Sequence, residues 1–147
     1  MVSLGLVVAQ FAKEDARAVT QEMEEHGREA AAAAGAEIVE TVEVPGSYDA
    51  PLAADRLARR ADVDAVAVLG AIVTGDTDHD RVIADAAAQG LTDVSLRRDT
   101  PVSLGIIGPG MSQAEAEARV DYGARAIESA ISLARDLPEV ADTTEED

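Results

Sequence analysis

The sequence predicts an α/β protein: a three-layer α/β/α sandwich around a four-stranded parallel sheet, flavodoxin-like in architecture. Four short strand-like runs alternate along the chain with segments of helical patterning. The first and third runs are apolar at nearly every position, which is typical of strands buried on both faces of a parallel sheet. Because crossovers between parallel strands are right-handed, we expect helices to cover both faces of this sheet.

The strands are predicted from the apolar runs themselves. We place them at residues 4–9, 38–44, 65–73 and 102–107. Pro45-Gly46 follows the second run and Gly108-Pro109-Gly110 follows the fourth, and both are typical of loops. The second strand is therefore expected to end before Pro45, and the fourth before Gly108.

The helices are predicted from apolar spacing and from residues suited to helix ends. We expect them over about residues 13–34, 52–61, 79–96 and 112–137. Gly35 suits the end of the first helix, and Pro51 suits the first turn of the second. The last is expected as a single helix with an apolar face of Ala126, Ile127, Ala130, Ile131, Leu133 and Ala134.

Length and composition indicate one domain in a soluble, cytoplasmic protein. We expect the domain to span residues 1–137 and the acidic, aperiodic residues 138–147 to be a disordered tail. No apolar stretch approaches the roughly 20 residues of a membrane span, and the first residues lack the basic start of a signal peptide. Cysteine is absent, which excludes disulfides, thiolate nucleophiles and cysteine-based metal sites.

The charge is strongly negative. Lys and Arg total 12 against 29 Asp and Glu, a formal net charge of −17. Such a surface repels nucleic acid and anionic membranes, so neither is expected as a partner. The acidic excess is typical of proteins from a salt-rich cytoplasm, because at about 1 M salt the Debye length falls to roughly 3 Å and self-repulsion is screened.

Ligands of open parallel sheets bind outside the carboxyl ends of the strands. Four loops are expected there, at residues 10–12, 45–49, 74–79 and 108–111. The chain has three aromatic residues, and two of them, Phe11 and Tyr48, fall on these loops. Rings placed there favour stacking against a flat ligand; the alternative is that each covers a local apolar gap.

The segment Gly75-Asp76-Thr77 combines two features of a phosphate site. It lies between a buried strand and a helix start, where free backbone N–H groups can cradle an anion. His79, one of two histidines, follows two residues later and is a suitable proton carrier. Alternatively the segment is an ordinary turn and helix cap, with a histidine that faces water.

Other candidates have simpler interpretations. Arg119 can pair with Glu115 one helical turn away, Met111 is expected in packing, and His26 is expected on the surface. The sequence contains no phosphate loop of the Walker type, no dinucleotide-binding glycine motif and no nucleophile elbow. With two distant histidines and scattered carboxylates, no metal site is predicted.

Several stretches, taken together, resemble one enzyme family. In order and spacing, Val44-Pro-Gly-Ser-Tyr-Asp-Ala-Pro-Leu52, the run from Gly70 to His79, and Pro101-Val-Ser-Leu-Gly105 resemble the 6,7-dimethyl-8-ribityllumazine synthases. Gly108-Pro-Gly-Met-Ser112 and Glu117-Ala-Arg-Val-Asp-Tyr-Gly123 are similar to the archaeal branch. The resemblance implies the penultimate step of riboflavin synthesis, without cofactor or metal. It also implies pentamers, often built into icosahedral shells, with active sites between adjacent subunits.

The resemblance also implies roles for individual residues. His79 is implied as the proton shuttle, and Leu104 is implied to reach the ring from a neighbouring subunit. The phosphate would be held by Asp76, Thr77 and Arg119. The pyrimidine and its ribityl chain would be held by Phe11, Ser47, Tyr48, Asp49, Ala71, Ile72, Val73 and Leu104.

The chain departs from the commoner family pattern in places. Leu104 stands where an aromatic residue is usual, and Asp80 rather than an aromatic residue follows His79. Arg125 lies in the region where the family carries a lysine-bearing glycine-rich stretch that has no clear counterpart here, so Arg125 receives no role. Because the N-terminus leads almost directly into the first strand, we expect the extra strand that members of the family add to a neighbour's sheet to be very short or absent. Three alternatives stay open: an archaeal-type riboflavin synthase, which has no use for a phosphate cradle, a non-catalytic flavodoxin-like binding module, and a purely structural shell subunit.

Overall fold

The computed structural model describes residues 1–10, 14–73, 78–138 and 140, without the side chains of residues 14–16. Its four strands form one parallel sheet in the order β2-β1-β3-β4. The strands are β1 (Ser3–Ala9), β2 (Glu37–Val44), β3 (Ala65–Val73) and β4 (Val102–Met111). The predicted fold class is confirmed by this topology.

Helices cover both faces of the sheet. One face is covered by α1 (Glu14–Ala33), the short α4 (Gln113–Glu117) and α5 (Tyr122–Asp136). The other is covered by α2 (Ala50–Ala58) and α3 (His79–Arg98), preceded by a 3₁₀ turn at Ser47–Asp49. Gly35 has φ +70° after α1, and Pro51 lies in the first turn of α2, as predicted.

The central strands supply both hydrophobic cores. In β3, Ala67 and Leu69 are buried against α1 and α5, whereas Val66 and Val68 are buried against α2 and α3. Successive side chains of a strand point to opposite faces, so a strand between two helical layers needs apolar residues at every position. This explains the unbroken apolar runs. Within the described chain, no helix is long and apolar enough to cross a membrane.

The single helix predicted over 112–137 is wrong; it is two helices. Ser112 caps the N-terminus of α4, since its Oγ accepts the Glu115 N–H at 3.2 Å and its own N–H donates to Glu115 Oε1 at 3.2 Å. A turn over residues 118–121 follows, and Gly123 then packs on the backbone of α1. A Cβ on Gly123 would lie 2.1 Å from the Met23 carbonyl oxygen. This long-range contact, which local helical spacing does not encode, sets where α5 begins.

The loop predicted at 108–111 is also wrong, because β4 continues to Met111. Ala71 is paired with Ile107, and after a register shift Val73 is paired with Met111. Residues 108–110 therefore form a bulge opposite Ile72 rather than a strand end. The proline and glycines that suggested a loop are the residues a bulge of this kind uses.

Candidate active site

A cleft of about 620 Å³ lies at the carboxyl edge of the sheet. One wall is the turn that follows β2, and the other is the end of β3 with the first turns of α3. The lining residues are Pro45, Gly46, Ser47, Tyr48, Asp49, Ile72, Val73, His79, Asp80, Val82 and Ile83. Five residues predicted for the site, Ser47, Tyr48, Asp49, Ile72 and Val73, thus meet His79 in one cleft.

The first wall is held in shape by its own hydrogen bonds. The Gly46 N–H donates to Asp49 Oδ2 at 3.1 Å, and the Asp49 N–H donates to the Gly46 carbonyl at 3.0 Å. Ser47 is buried by this turn, while Tyr48 keeps 64% of its surface exposed. The Asp49 carboxylate therefore shapes the turn that presents the Tyr48 ring.

Gly70 allows that turn to approach the sheet. A Cβ at this position would lie 3.0 Å from Ser47 Oγ and 3.1 Å from Ala9 Cβ. Both contacts are tighter than side chains normally make, so a side chain at position 70 would push its neighbours by a few tenths of an ångström. Gly70 thereby joins the wall after β2 to the central strand.

The end of β3 presents residues to both sides of the sheet. Ile72 and Val73 line the cleft, whereas the Ala71 side chain is buried in the core under α1 and α5. A contact from Ala71 to a ligand in the cleft would therefore run through its backbone groups. This is consistent with the role implied for Ala71 by the family resemblance.

The second wall begins α3. His79 is the first residue of this helix and is exposed, and Asp80 follows it in the first turn. Val82 and Ile83 complete the wall with an apolar surface, and Val82 is 60% exposed. The cleft therefore combines one imidazole, carboxylates and an apolar wall that a flat ring can contact.

Phe11, Asp76 and Thr77, together with Gly75, lie outside the described residues. Phe11 follows the end of β1, and residues 75–77 connect β3 to α3. Their predicted roles in ring stacking and phosphate binding stay predictions.

Two further predicted site residues, Leu104 and Arg119, are not in this cleft. Leu104 is 54% exposed on β4, the strand at one end of the sheet. Arg119 lies in the turn between α4 and α5, with Nη2 3.7 Å from Glu115 Oε2 and Nη1 3.7 Å from the sulfur of the buried Met111. The predicted Arg119–Glu115 pair and the packing of Met111 are thereby confirmed.

Sequence reasoning passed over some polar residues. The Gln10 carbonyl oxygen Oε1 is buried and has no hydrogen-bond partner among the described residues, although the Gln10 backbone N–H donates to Val44 O at 2.7 Å. A polar residue directly after an apolar strand was the available signal. His26, expected simply on the surface, is partly exposed and lies 3.2 Å from Asp121 at the start of α5.

A large carboxyl pKa shift lies away from the cleft, at Asp55. Hydrogen bonds from Arg98 and Arg59 lower the pKa of Asp55 to about 2. Near Arg119, the Ser112 N–H and hydroxyl lower the pKa of Glu115. In the part of the chain that the structure describes, no cluster of three or more histidines and carboxylates could hold a metal ion.

Known proteins match nearly the whole chain. The family model for 6,7-dimethyl-8-ribityllumazine synthase matches residues 1–137. A 6,7-dimethyl-8-ribityllumazine synthase of Halobacterium salinarum is 66% identical over 137 residues, covering 93% of this chain and all of the relative. Relatives of the same name from Halorubrum lacusprofundi and Methanosarcina barkeri are 66% and 48% identical, covering 93% and 92% of this chain and 99% and 98% of the relatives. The chain therefore belongs to the 6,7-dimethyl-8-ribityllumazine synthase family.

Proposed function

We propose that this chain condenses 5-amino-6-(D-ribitylamino)uracil with 3,4-dihydroxy-2-butanone 4-phosphate to 6,7-dimethyl-8-ribityllumazine in the cleft at the carboxyl edge of its sheet. Phosphate and water are released. The match of residues 1–137 to this transferase family of riboflavin biosynthesis carries the proposal. The meeting of Tyr48, Ile72 and His79 in one cleft supports its location there.

His79 is proposed as the proton shuttle. The reaction requires imine formation, phosphate elimination, enol reorganisation and ring closure, and each step moves protons without needing a protein nucleophile. An imidazole can both accept and return a proton. Its exposed position at the start of α3 allows a substrate in the cleft to reach it.

The remaining acceleration would come from holding two substrates in reactive geometry. The exposed Tyr48 ring and the apolar Ile72 and Val73 suit the flat pyrimidine, with Ser47 and Asp49 on the same wall. Phe11 is proposed to add a second ring. Backbone groups of Ala71 would contribute from the end of β3.

The phosphate needs donors that oppose the net charge of −17. Backbone N–H groups of Asp76 and Thr77 are proposed as the cradle, because N–H groups before a helix bind anions without a side-chain charge. Arg119 would add charge-assisted hydrogen bonds through its guanidinium.

Leu104 and Arg119 support a site completed by a neighbouring subunit. Both are outside the cleft of their own chain, and the exposed Leu104 lies on a terminal strand of the sheet. The family resemblance implies that Leu104 contacts the ring bound by a neighbouring subunit, and its exposed position on an edge strand is accessible to one. We propose a homopentamer, alone or within an icosahedral shell, in the cytoplasm of a salt-adapted cell.

Incubation of the purified protein with both substrates at high salt tests the function. Formation of the lumazine chromophore together with stoichiometric free phosphate is expected. Flavin formed from the lumazine alone would instead favour a riboflavin synthase. Ligand binding without turnover would favour a binding module, and neither binding nor turnover would favour a structural shell subunit.

A further inference from the structure

The bulge in β4 lies directly beside the candidate active site. β3 and β4 pair in register from Val66–Val102 to Ala71–Ile107, and pairing resumes at Val73–Met111. Residues 108–110 therefore stand opposite Ile72 alone, and Ile72 lines the cleft. Bulges change the local direction of a strand and its partner, and they are frequent next to active sites.

Within this bulge, Gly108 contacts the Ile72 peptide. A Cβ on Gly108 would lie 2.2 Å from the Ile72 carbonyl oxygen and 3.1 Å from its carbonyl carbon. A Cβ on Gly110 would have no heavy atom of the described residues within 4 Å. Both glycines adopt left-handed backbone, with φ +94° and +79°. Gly108 therefore differs from Gly110 in its approach to Ile72, not in backbone strain.

We propose that Gly108 is a positioning residue, which sets the Ile72 peptide and side chain where the pyrimidine substrate binds. The inference rests on the proposed function and adds a residue to which no role was assigned. A methyl group at position 108 displaces the Ile72 carbonyl, because 2.2 Å is far inside van der Waals contact. Displacements of about 1 Å at a binding wall can cost up to a hundredfold in rate.

Steady-state kinetics of Gly108→Ala, with Gly110→Ala as the matched control, tests the proposal. Both variants introduce a Cβ into left-handed backbone, so both should lower the melting temperature. We expect Gly108→Ala to raise the KM for the pyrimidine about tenfold or more, leaving the KM for the ketose phosphate within about twofold. Gly110→Ala should leave both KM values within about twofold. Equal pyrimidine KM values in the two variants would overturn the proposal.

A second variant, Pro109→Gly, tests the proposal if Gly108→Ala does not fold. Pro109→Gly adds no atom near Ile72 but frees the backbone of the bulge, and we expect a rise of about threefold in the pyrimidine KM. An unchanged pyrimidine KM in a folded Pro109→Gly protein would then contradict the proposal. If the unsubstituted protein forms no lumazine, the proposed function fails; if it does and the variants match it, only the positioning role fails.

Discussion

The two ends of the α2–α3 helix pair differ in the environment of their polar side chains. At one end the two helices begin beside an open cleft, where Tyr48 and His79 are exposed. Further along, Asp55 of α2 accepts hydrogen bonds from Arg98 of α3 at 2.8 and 3.2 Å and pairs with Arg59 of its own helix. Asp55 and Arg98 are thus paired between the two helices, whereas Tyr48 and His79 at the cleft are exposed.

This difference separates stability from function within one helix pair. Ion pairs that link two elements hold them together, and the side chain of Asp55 is only 16% exposed. Substitution of exposed side chains such as Tyr48 should change stability little. Substitutions at the cleft should therefore change kinetics, and substitutions at Asp55 should change unfolding.

The largest expected effect is on turnover in His79→Ala. We expect kcat to fall about a hundredfold, because general acid–base catalysis typically contributes 10² to 10⁴. Residual activity should remain, since substrate positioning is intact. Stopped-flow absorbance of the lumazine measures the rate, and light scattering checks that assembly is unchanged. A kcat within about twofold of the parent would show that His79 is not the proton shuttle.

Arg119→Ala tests whether Arg119, which lies outside the cleft of its own chain, binds the phosphate of the substrate. We expect the KM for the ketose phosphate to rise about tenfold to a hundredfold, because hydrogen bonds to charged groups contribute about 1.5–3 kcal/mol. Arg125→Ala is the control, since Arg125 is also exposed but its guanidinium lies 4.9 Å from the Tyr122 ring centroid. If both variants raise this KM equally, the assignment to Arg119 is not specific.

Asp55→Asn tests the end of the helix pair at which Asp55 of α2 is paired with Arg98 of α3. The folded pKa of about 2 lies below the ordinary 3.8, so the stabilisation is complete above about pH 4 and is lost as pH falls through 2. We expect a loss of about 2 kcal/mol in unfolding free energy near neutral pH, shrinking below pH 4. Urea unfolding across this pH range, at fixed protein concentration, measures it.

Asp62→Asn is the matched control for Asp55→Asn. Asp62 pairs with Arg60 two residues away and is 55% exposed, so it links no separate helices. Its loss should change the unfolding free energy much less than the loss of Asp55 does, because exposed ion pairs contribute little to stability. Equal losses in the two variants would mean that the α2–α3 link contributes nothing specific.

The smallest effect is expected for Tyr48→Ala. Aromatic stacking contributes about 0.5–1.5 kcal/mol beyond burial, so the pyrimidine KM should rise about two- to tenfold. Tyr122→Ala removes the other tyrosine, which lies outside the cleft, and should leave that KM unchanged. Isothermal titration with the pyrimidine alone checks the same difference without turnover. Identical affinities in the two variants would remove Tyr48 from the site.

Local sequence determined much of this protein. Strand-like runs located all four strands, most clearly the central β1 and β3, because a strand between two helical layers must be apolar on both faces. Three of the four helical segments were located within a few residues, because caps and apolar spacing act over one or two turns. Motifs in order indicated the family, and with it the residues that meet in the cleft.

Tertiary structure decided the features that depend on distant contacts. The close packing of Gly123 on the Met23 backbone divides the last helical segment into two helices. The close approach of Gly108 to Ile72 places residues 108–110 in a bulge, where the sequence suggested a loop. Likewise, Asp55 pairs with Arg98, which lies 43 residues further along the chain. Propensity and spacing describe neighbours along the chain, whereas a close backbone approach or an ion pair between helices exists only once the layers have packed.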